Sequence, residues 1–180
     1  PGVQTSSIDI ALSVGGHITG TIISELNAEP LSDIRSMVYR HDPADGSWDY
    51  VNLDYSDASG HYDIGDLPGG NYRVRFYDDA GNYLDEYYDD AADLDSATDI
   101  AVTAGEIVSD IDALLTPANH IAGNVTDQAT GDPLESILIY IYRYDDQSDS
   151  WSTHKYRFTD AQGQYDIGSL PSGLYRVMFW

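Results

Sequence analysis

Gly60-His61-Tyr62-Asp63-Ile64-Gly65-Asp66-Leu67-Pro68 and Gly163-Gln164-Tyr165-Asp166-Ile167-Gly168-Ser169-Leu170-Pro171 are one motif written twice. In each copy a glycine opens an alternating run whose Tyr and Ile share a face, the pattern of a half-buried strand, and Leu-Pro leads out of it. The offset of 103 that separates Gly60 from Gly163 recurs outward in both directions. Gly16-His17-Ile18-Thr19-Gly20 returns as Asn119-His120-Ile121-Ala122-Gly123, and Pro30-Leu31 as Pro133-Leu134. Tyr39-Arg40 returns as Tyr142-Arg143, Trp48 as Trp151, and Tyr72-Arg73-Val74 as Tyr175-Arg176-Val177. About 30 of the roughly 77 positions that can be compared are identical, with no gap, which marks an internal repeat.

The register reaches the start of the chain, where Gly2, Ser6, Ile8, Asp9 and Leu12 match Gly105, Ser109, Ile111, Asp112 and Leu115. The expected organisation is therefore the last strand of a preceding repeat over 1–15, a whole repeat over 16–118, and an incomplete repeat over 119–180. Both ends are expected to fall mid-repeat, and any export signal to lie outside a sequence that opens at Pro1.

Within a repeat the period is two. His17–Ile22, Trp48–Tyr55 and Tyr72–Phe76 alternate, and Ile137–Tyr144 is a β-rich run suited to a central strand. Thr98–Thr103 and Ile107–Leu115 supply two more strands. Asp45-Gly46, Asp57-Ala58-Ser59-Gly60, Leu67-Pro68-Gly69-Gly70 and Ala80-Gly81-Asn82 are turns. Six or seven short strands at this spacing predict an all-β chain of tandem Ig-like or prealbumin-like antiparallel β-sandwich repeats. The acidic, Tyr-rich stretch Tyr83–Asp95 is expected to form a short helix or a long loop.

Of 180 residues, 31 are acidic and 8 basic, for a net charge of -23. Such a surface repels nucleic acid, whose recognition needs clustered Lys and Arg, and disfavours anionic membranes. No apolar run is long enough to insert in a membrane. There is no cysteine, and strong acidity suits solubility outside the cell, so an extracellular or cell-surface protein is expected.

The elements G-x-I-x-G, P-L, the Asp-Gly turn before Tyr-x-Ile, and G-x-L-P-x-G-x-Y-R-V together resemble the carboxypeptidase regulatory-like repeats. These sit with the collagen-adhesin B-type and transthyretin-like sandwiches, and the resemblance covers almost the whole chain. It implies stalk or spacer modules of bacterial surface and secreted proteins. Some relatives carry an internal Lys–Asn or Lys–Asp isopeptide bond. Here the single lysine, Lys155, has Asn52 as its repeat partner, so the bond is not expected as a repeat-wide feature.

Candidate chemistry is sparse, and no enzyme activity is expected. There is no Gly-x-Ser-x-Gly elbow and no Ser–His–acid set shared by the repeats. Of five histidines only His17 and His120 recur, without a second ligand at zinc spacing. Acidic loops with Asp42, Asp45, Asp78, Asp79, Asp145 and Asp149 offer oxygens to Ca²⁺; the competing reading is that each Asp caps its own turn. Trp48 and Trp151 open a strand and are read chiefly as core anchors, with sugar stacking on a glycan as the alternative. The sequon Asn124-Val125-Thr126 has no counterpart in the first repeat and is read as incidental. Finally, an orphan strand and an open sheet invite exchange between molecules. Gln4, Ser6, Ile8, Ile10 and Leu12 of one chain are expected to pair where the second repeat of another is open, propagating head to tail; the competing reading is that the residues completing the second repeat were cleaved or lie outside this sequence. A structural stalk or filament is thus expected, with a carbohydrate- or protein-binding adhesin module as the alternative.

Overall fold

A computed structural model describes residues 14–180. The described residues hold fourteen strands and no helix. In the first unit these are β1 (Gly16–Ser24), β2 (Ile34–His41), β3 (Trp48–Tyr55), β4 (His61–Leu67), β5 (Gly70–Asp78), β6 (Glu86–Tyr87), β7 (Ile100–Val102), β8 (Ile107–Val108) and β9 (Ala113–Leu115). In the second they are β10 (Asn119–Asn124), β11 (Leu138–Asp145), β12 (Ser150–Phe158), β13 (Gln164–Leu170) and β14 (Tyr175–Phe179).

The first unit is two facing layers. One has the order β4-β1-β8 with β9 also on β1, and the other β3-β2-β5-β6 with β7 also on β5. Alternation puts Ile18 and Ile22 of β1, Val38 of β2, Tyr62 and Ile64 of β4, and Tyr72, Val74 and Phe76 of β5 between the layers, each at most 1% exposed. Ile111, Ala113 and Leu115 complete that core from the β8–β9 segment. Each Ile, Leu, Val or Phe so covered contributes roughly 1.5–3 kcal/mol by leaving water. Most pairings are antiparallel, as the turns predict, but β8 and β9 run parallel to β1.

The second unit repeats the register of the first. Ile18 lies opposite Ile64 and Ile121 opposite Ile167, with a bulge at the same place, Gly16/Ile18 and Asn119/Ile121. The β2–β3 and β11–β12 ladders both slip one residue, at Val38/Tyr39 and at Ile141/Tyr142. Small polar devices recur as well. Ser56 and Thr159, both buried, donate to the carbonyls of Leu31 and Leu134 at 2.6 Å. Tyr72 and Tyr175 donate to Pro68 and Pro171 at 2.6 and 2.5 Å.

Tyr83–Asp95 is not helical; it carries the two-residue β6 beside β5 and is pinned by arginines of the sheet. Arg75 reaches Asp85 at 2.5 Å, and Arg73 reaches the carbonyls of Leu94 and Asp95 and the carboxylate of Asp99. Closely spaced Asp and Tyr oppose helix formation, and two cations offer the segment better partners.

Candidate functional site

Two places in the structure arise from the repeat itself. The first is the joint between units. Asp78, 5% exposed, gathers three amides: Oδ1 accepts from Ala80 at 2.9 Å, and Oδ2 from Asn82 at 2.7 Å and Tyr83 at 3.2 Å. These bonds hold a tight turn with Gly81 at its tip, at a φ of 78° that a side chain would strain. The Gly81 carbonyl accepts the amide of Ser169 at 2.7 Å, so the two units share a backbone hydrogen bond. Contact is close enough that a Cβ on Gly168 would lie 2.6 Å from Gly81 O and 2.7 Å from His120 Cε1. The connection between units is tied to the same turn, by Ala118 N to Asn82 O at 2.7 Å and Leu84 N to Thr116 O at 2.9 Å.

The receiving face is built alike in both units. His120 meets Asp166 at 2.7 Å and His17 meets Asp63 at 2.6 Å. Each imidazole lies against the glycine of the motif, Gly168 or Gly65. Lys155 donates to Gly168 O at 2.9 Å, where Asn52 donates to Gly65 O at 3.1 Å. That shared task accounts for Lys and Asn at matching positions. Burial at the joint lowers the Lys155 amine below its usual range.

The second place is the free edge of the sheet. In the first unit, β8 and β9 close one edge of β1: His17 N donates to Glu106 O at 2.8 Å, Ile111 N to Thr19 O at 3.1 Å, and Glu25 N to Leu115 O at 3.0 Å. Asp112 accepts from both the amide and the hydroxyl of Thr21 at 2.8 Å, and buried Tyr62 donates to Ile111 O at 2.6 Å. Gly20 is obligatory there, since a Cβ would lie 2.0 Å from Ile111 O. In the second unit β10 pairs with β13 alone among the described residues. In the first unit Val74 and Phe76 are covered, whereas their counterparts Val177 and Phe179 are 38% and 50% exposed.

The six expected calcium ligands fall two to a turn in three separate turns. Asp42 caps the amide of Ala44, Asp45 that of Ser47, and Asp145 that of Gln147. Asp78 holds the joint turn, Asp79 pairs with Arg35 at 2.5 Å, and Asp149 accepts from the Tyr144 hydroxyl. No group of three or more His, Cys, Asp or Glu side chains that could hold a metal lies together among the described residues. At Asp42, Asp45, Asp78 and Asp145 the carboxylate caps amides of its own turn.

Trp48 and Trp151 are not core anchors, which corrects the reading favoured from sequence. Both are only partly buried and lie outside the two core clusters. The slip in the β2–β3 and β11–β12 ladders sets them opposite His41 and Tyr144 on the outward face. There Arg73 and Arg176 cover them, each guanidinium carbon 4.1 Å from the ring centroid. One face of each indole is thus taken before any sugar could stack on it. Gln4, Ser6, Ile8, Ile10 and Leu12 lie outside the described residues.

Sequence reasoning missed Gly81, Gly168, the outward arginines and Glu86. Glu86 is half-buried near Asp90 and Glu25, and desolvation first, then those like charges, raise its carboxyl to about 7. A surface cleft of about 550 Å³ is lined by Asn124, Arg157, Phe158, Gln164, Tyr165 and Asp166. No helix among the described residues is long and apolar enough to cross a membrane.

No protein-family model and no curated protein matches the chain. Solved structures resemble it in fold. A streptococcal ancillary pilin aligns at 13% identity and TM-score 0.46, over 92% of this chain and 53% of that one. The shaft pilin SpaA of Lactobacillus rhamnosus aligns at 10% and 0.36, over 94% and 88%. A DUF3823 family protein of Bacteroides uniformis aligns at 14% and 0.41, over 91% and 88%. The chain thus spans about half the length of the ancillary pilin, and likenesses of this strength concern the fold and not the role.

Proposed function

We propose that this chain is a structural part of a stalk or filament outside a bacterial cell, built from β-sandwich units joined end to end. The observation that carries the reading is the joint: a turn held by buried Asp78 places Gly81 O on the Ser169 amide, with glycine on both sides. A flexible tether would need none of these contacts, whereas a load-bearing or spacing element needs units fixed to their neighbours. The net charge of -23 fits a surface held in solution away from other polyanions. Head-to-tail joining of copies through strand addition belongs to the same reading.

Small-angle scattering on the chain and on Gly168→Val tests it. The wild-type curve should fit one fixed arrangement of the two units, and the valine variant a broad set. A wild-type curve that demands many interunit angles would refute a stiff stalk.

A further inference from the structure

We propose that the cleft across the joint between the two units is a binding site for one sugar residue of a neutral glycan. This goes beyond the stalk reading and uses the joint as the frame of a site.

The cleft encloses about 230 Å³, and its floor is the shared bond itself, Gly81 of the first unit against Gly168 and Ser169 of the second. Tyr77 and Asp79 wall it on one side; Lys155, Tyr156, Arg157 and Asp166 wall it on the other. Units fixed to each other by a backbone hydrogen bond hold such a cleft at one width, so a ligand meets little ordering cost on the protein side. The cleft does not depend on residues beyond Trp180. Three of its wall residues belong to β12, and in the first unit, where the strands after β5 are present, none of them pairs with the counterpart strand β3.

The two units differ at this place. Lys155, Tyr156 and Arg157 stand where the first unit has Asn52, Leu53 and Asp54. Asp54 accepts the Asp63 amide at 2.9 Å, a task that a guanidinium, which only donates, cannot perform. The register that the units share therefore does not call for Arg157. Arg35, Arg73 and Arg75 each pair with a carboxylate and Arg176 with an indole, whereas Arg157 has neither among the described residues. Tyr156 beside it is 66% exposed.

A sugar hydroxyl both donates and accepts, and the C–H face of a pyranose packs on an aromatic ring. Tyr156 supplies the ring. Arg157 brings a planar fork of donors, and Lys155 keeps two N–H groups after Gly168 O takes one. Asp166 binds His120 through Oδ1, which leaves Oδ2 to accept, and Asp79 has lone pairs beyond those that Arg35 occupies. Asp78, also in the wall, is taken up by its three amides. The free cations and free carboxylates balance, so the cleft suits hydroxyls over a net charge, and the chain's charge of -23 turns a polyanionic glycan away. Its walls are mostly polar, which suits a sugar better than the apolar anchors of a peptide.

Amide chemical shifts of the isotope-labelled full chain test the proposal, titrated in turn with cellohexaose, maltohexaose and mannohexaose, and with hexagalacturonate as the acidic control. At least one neutral hexasaccharide should shift the amides of Gly81, Tyr156, Arg157 and Ser169 while leaving those of Asn52 and Asp54 in place. Arg157→Ala should weaken that binding about tenfold, the loss of a charge-assisted hydrogen bond, and Tyr156→Ala several-fold. Both residues are exposed on an edge strand, so each variant should keep the wild-type spectrum away from the cleft. The proposal is overturned if no neutral hexasaccharide moves these amides, if either folded variant binds as tightly as wild type, or if hexagalacturonate binds more tightly than all three neutral sugars.

Discussion

Phe76 and Phe179 are the same residue at the same register, one covered completely and one half exposed, so truncating each measures what the segment following β5, with β6 to β9, contributes to the first core. Phe76 touches Tyr62 edge-on within a core closed by Ile111 and Leu115, and Phe76→Ala leaves a cavity there. Its cost should be about 3–5 kcal/mol, the range for burying no aromatic where one stood. Phe179 keeps half of its surface in water, so Phe179→Ala forfeits about half of a transfer term of 1.5–3 kcal/mol and opens little enclosed space, about 1 kcal/mol in all. At roughly 4–8 °C per kcal/mol for a unit of this size, the first change would lower the melting point of its own unit several times more than the second. Hydrogen exchange read by mass spectrometry separates the units, because amides of the β1–β4 and β10–β13 ladders fall in different peptides. Comparable losses of protection at the two sites would refute the reasoning, since they would mean that the second core is covered as well as the first.

At the joint, Asp78→Ala strands the amides of Ala80, Asn82 and Tyr83; differential scanning calorimetry should show the first unit losing about 2–4 kcal/mol, and an unchanged transition would remove Asp78 as the turn's anchor. Glu86 carries a folded-state carboxyl raised to about 7, so the folded chain binds the extra proton between about pH 4.5 and 7. Wild-type stability should therefore fall as pH rises through that window relative to Glu86→Gln and run parallel to it above; identical pH profiles in urea titrations would refute this. Because the acidic loops spend their carboxylates on their own turns, millimolar Ca²⁺ should leave the melting temperature unmoved, and a rise reversed by chelator would restore a calcium role. Copies of a chain with net charge -23 repel one another, so their association by strand addition should strengthen with added salt; weakening with salt would point to a charge-paired contact instead.

Strands were legible where alternation was strict. Tyr72-Arg73-Val74-Arg75-Phe76 places its apolar residues in the core and its arginines outside, as period two requires. The direction faced by Trp48 was not legible, because a one-residue slip in the ladder reverses which face a side chain joins, and no local residue announces it. Tyr83–Asp95 was unreadable for a different reason: its order comes from Arg73 and Arg75, which belong to a strand ten or more residues away. The joint lay half in view. Gly168 recurs as Gly65 and so signals a close approach, but Gly81 sits in the stretch with no second copy to compare, and its partner lies in the next unit. In the acidic clusters spacing alone does not distinguish oxygens aimed at a cation from oxygens folded back onto amides.

The two units also act as a comparison inside one molecule. Residues with purely local work perform it identically in both: Ser56 and Thr159, Tyr72 and Tyr175, His17 and His120 keep their partners whether or not a strand lies on the neighbouring edge. Gly20 and Tyr62 are different, because the work visible for them is admitting and binding the Ile111 carbonyl. A Cβ at position 123 would lie 2.8 Å from the Tyr165 hydroxyl oxygen and 3.0 Å from its ring, so glycine there makes room for the ring that packs on Phe179. Glycine in the interior of a strand costs stability relative to a residue with a side chain. Its presence at 123 is explained by the Tyr165 ring, which stands where a larger side chain would have to go.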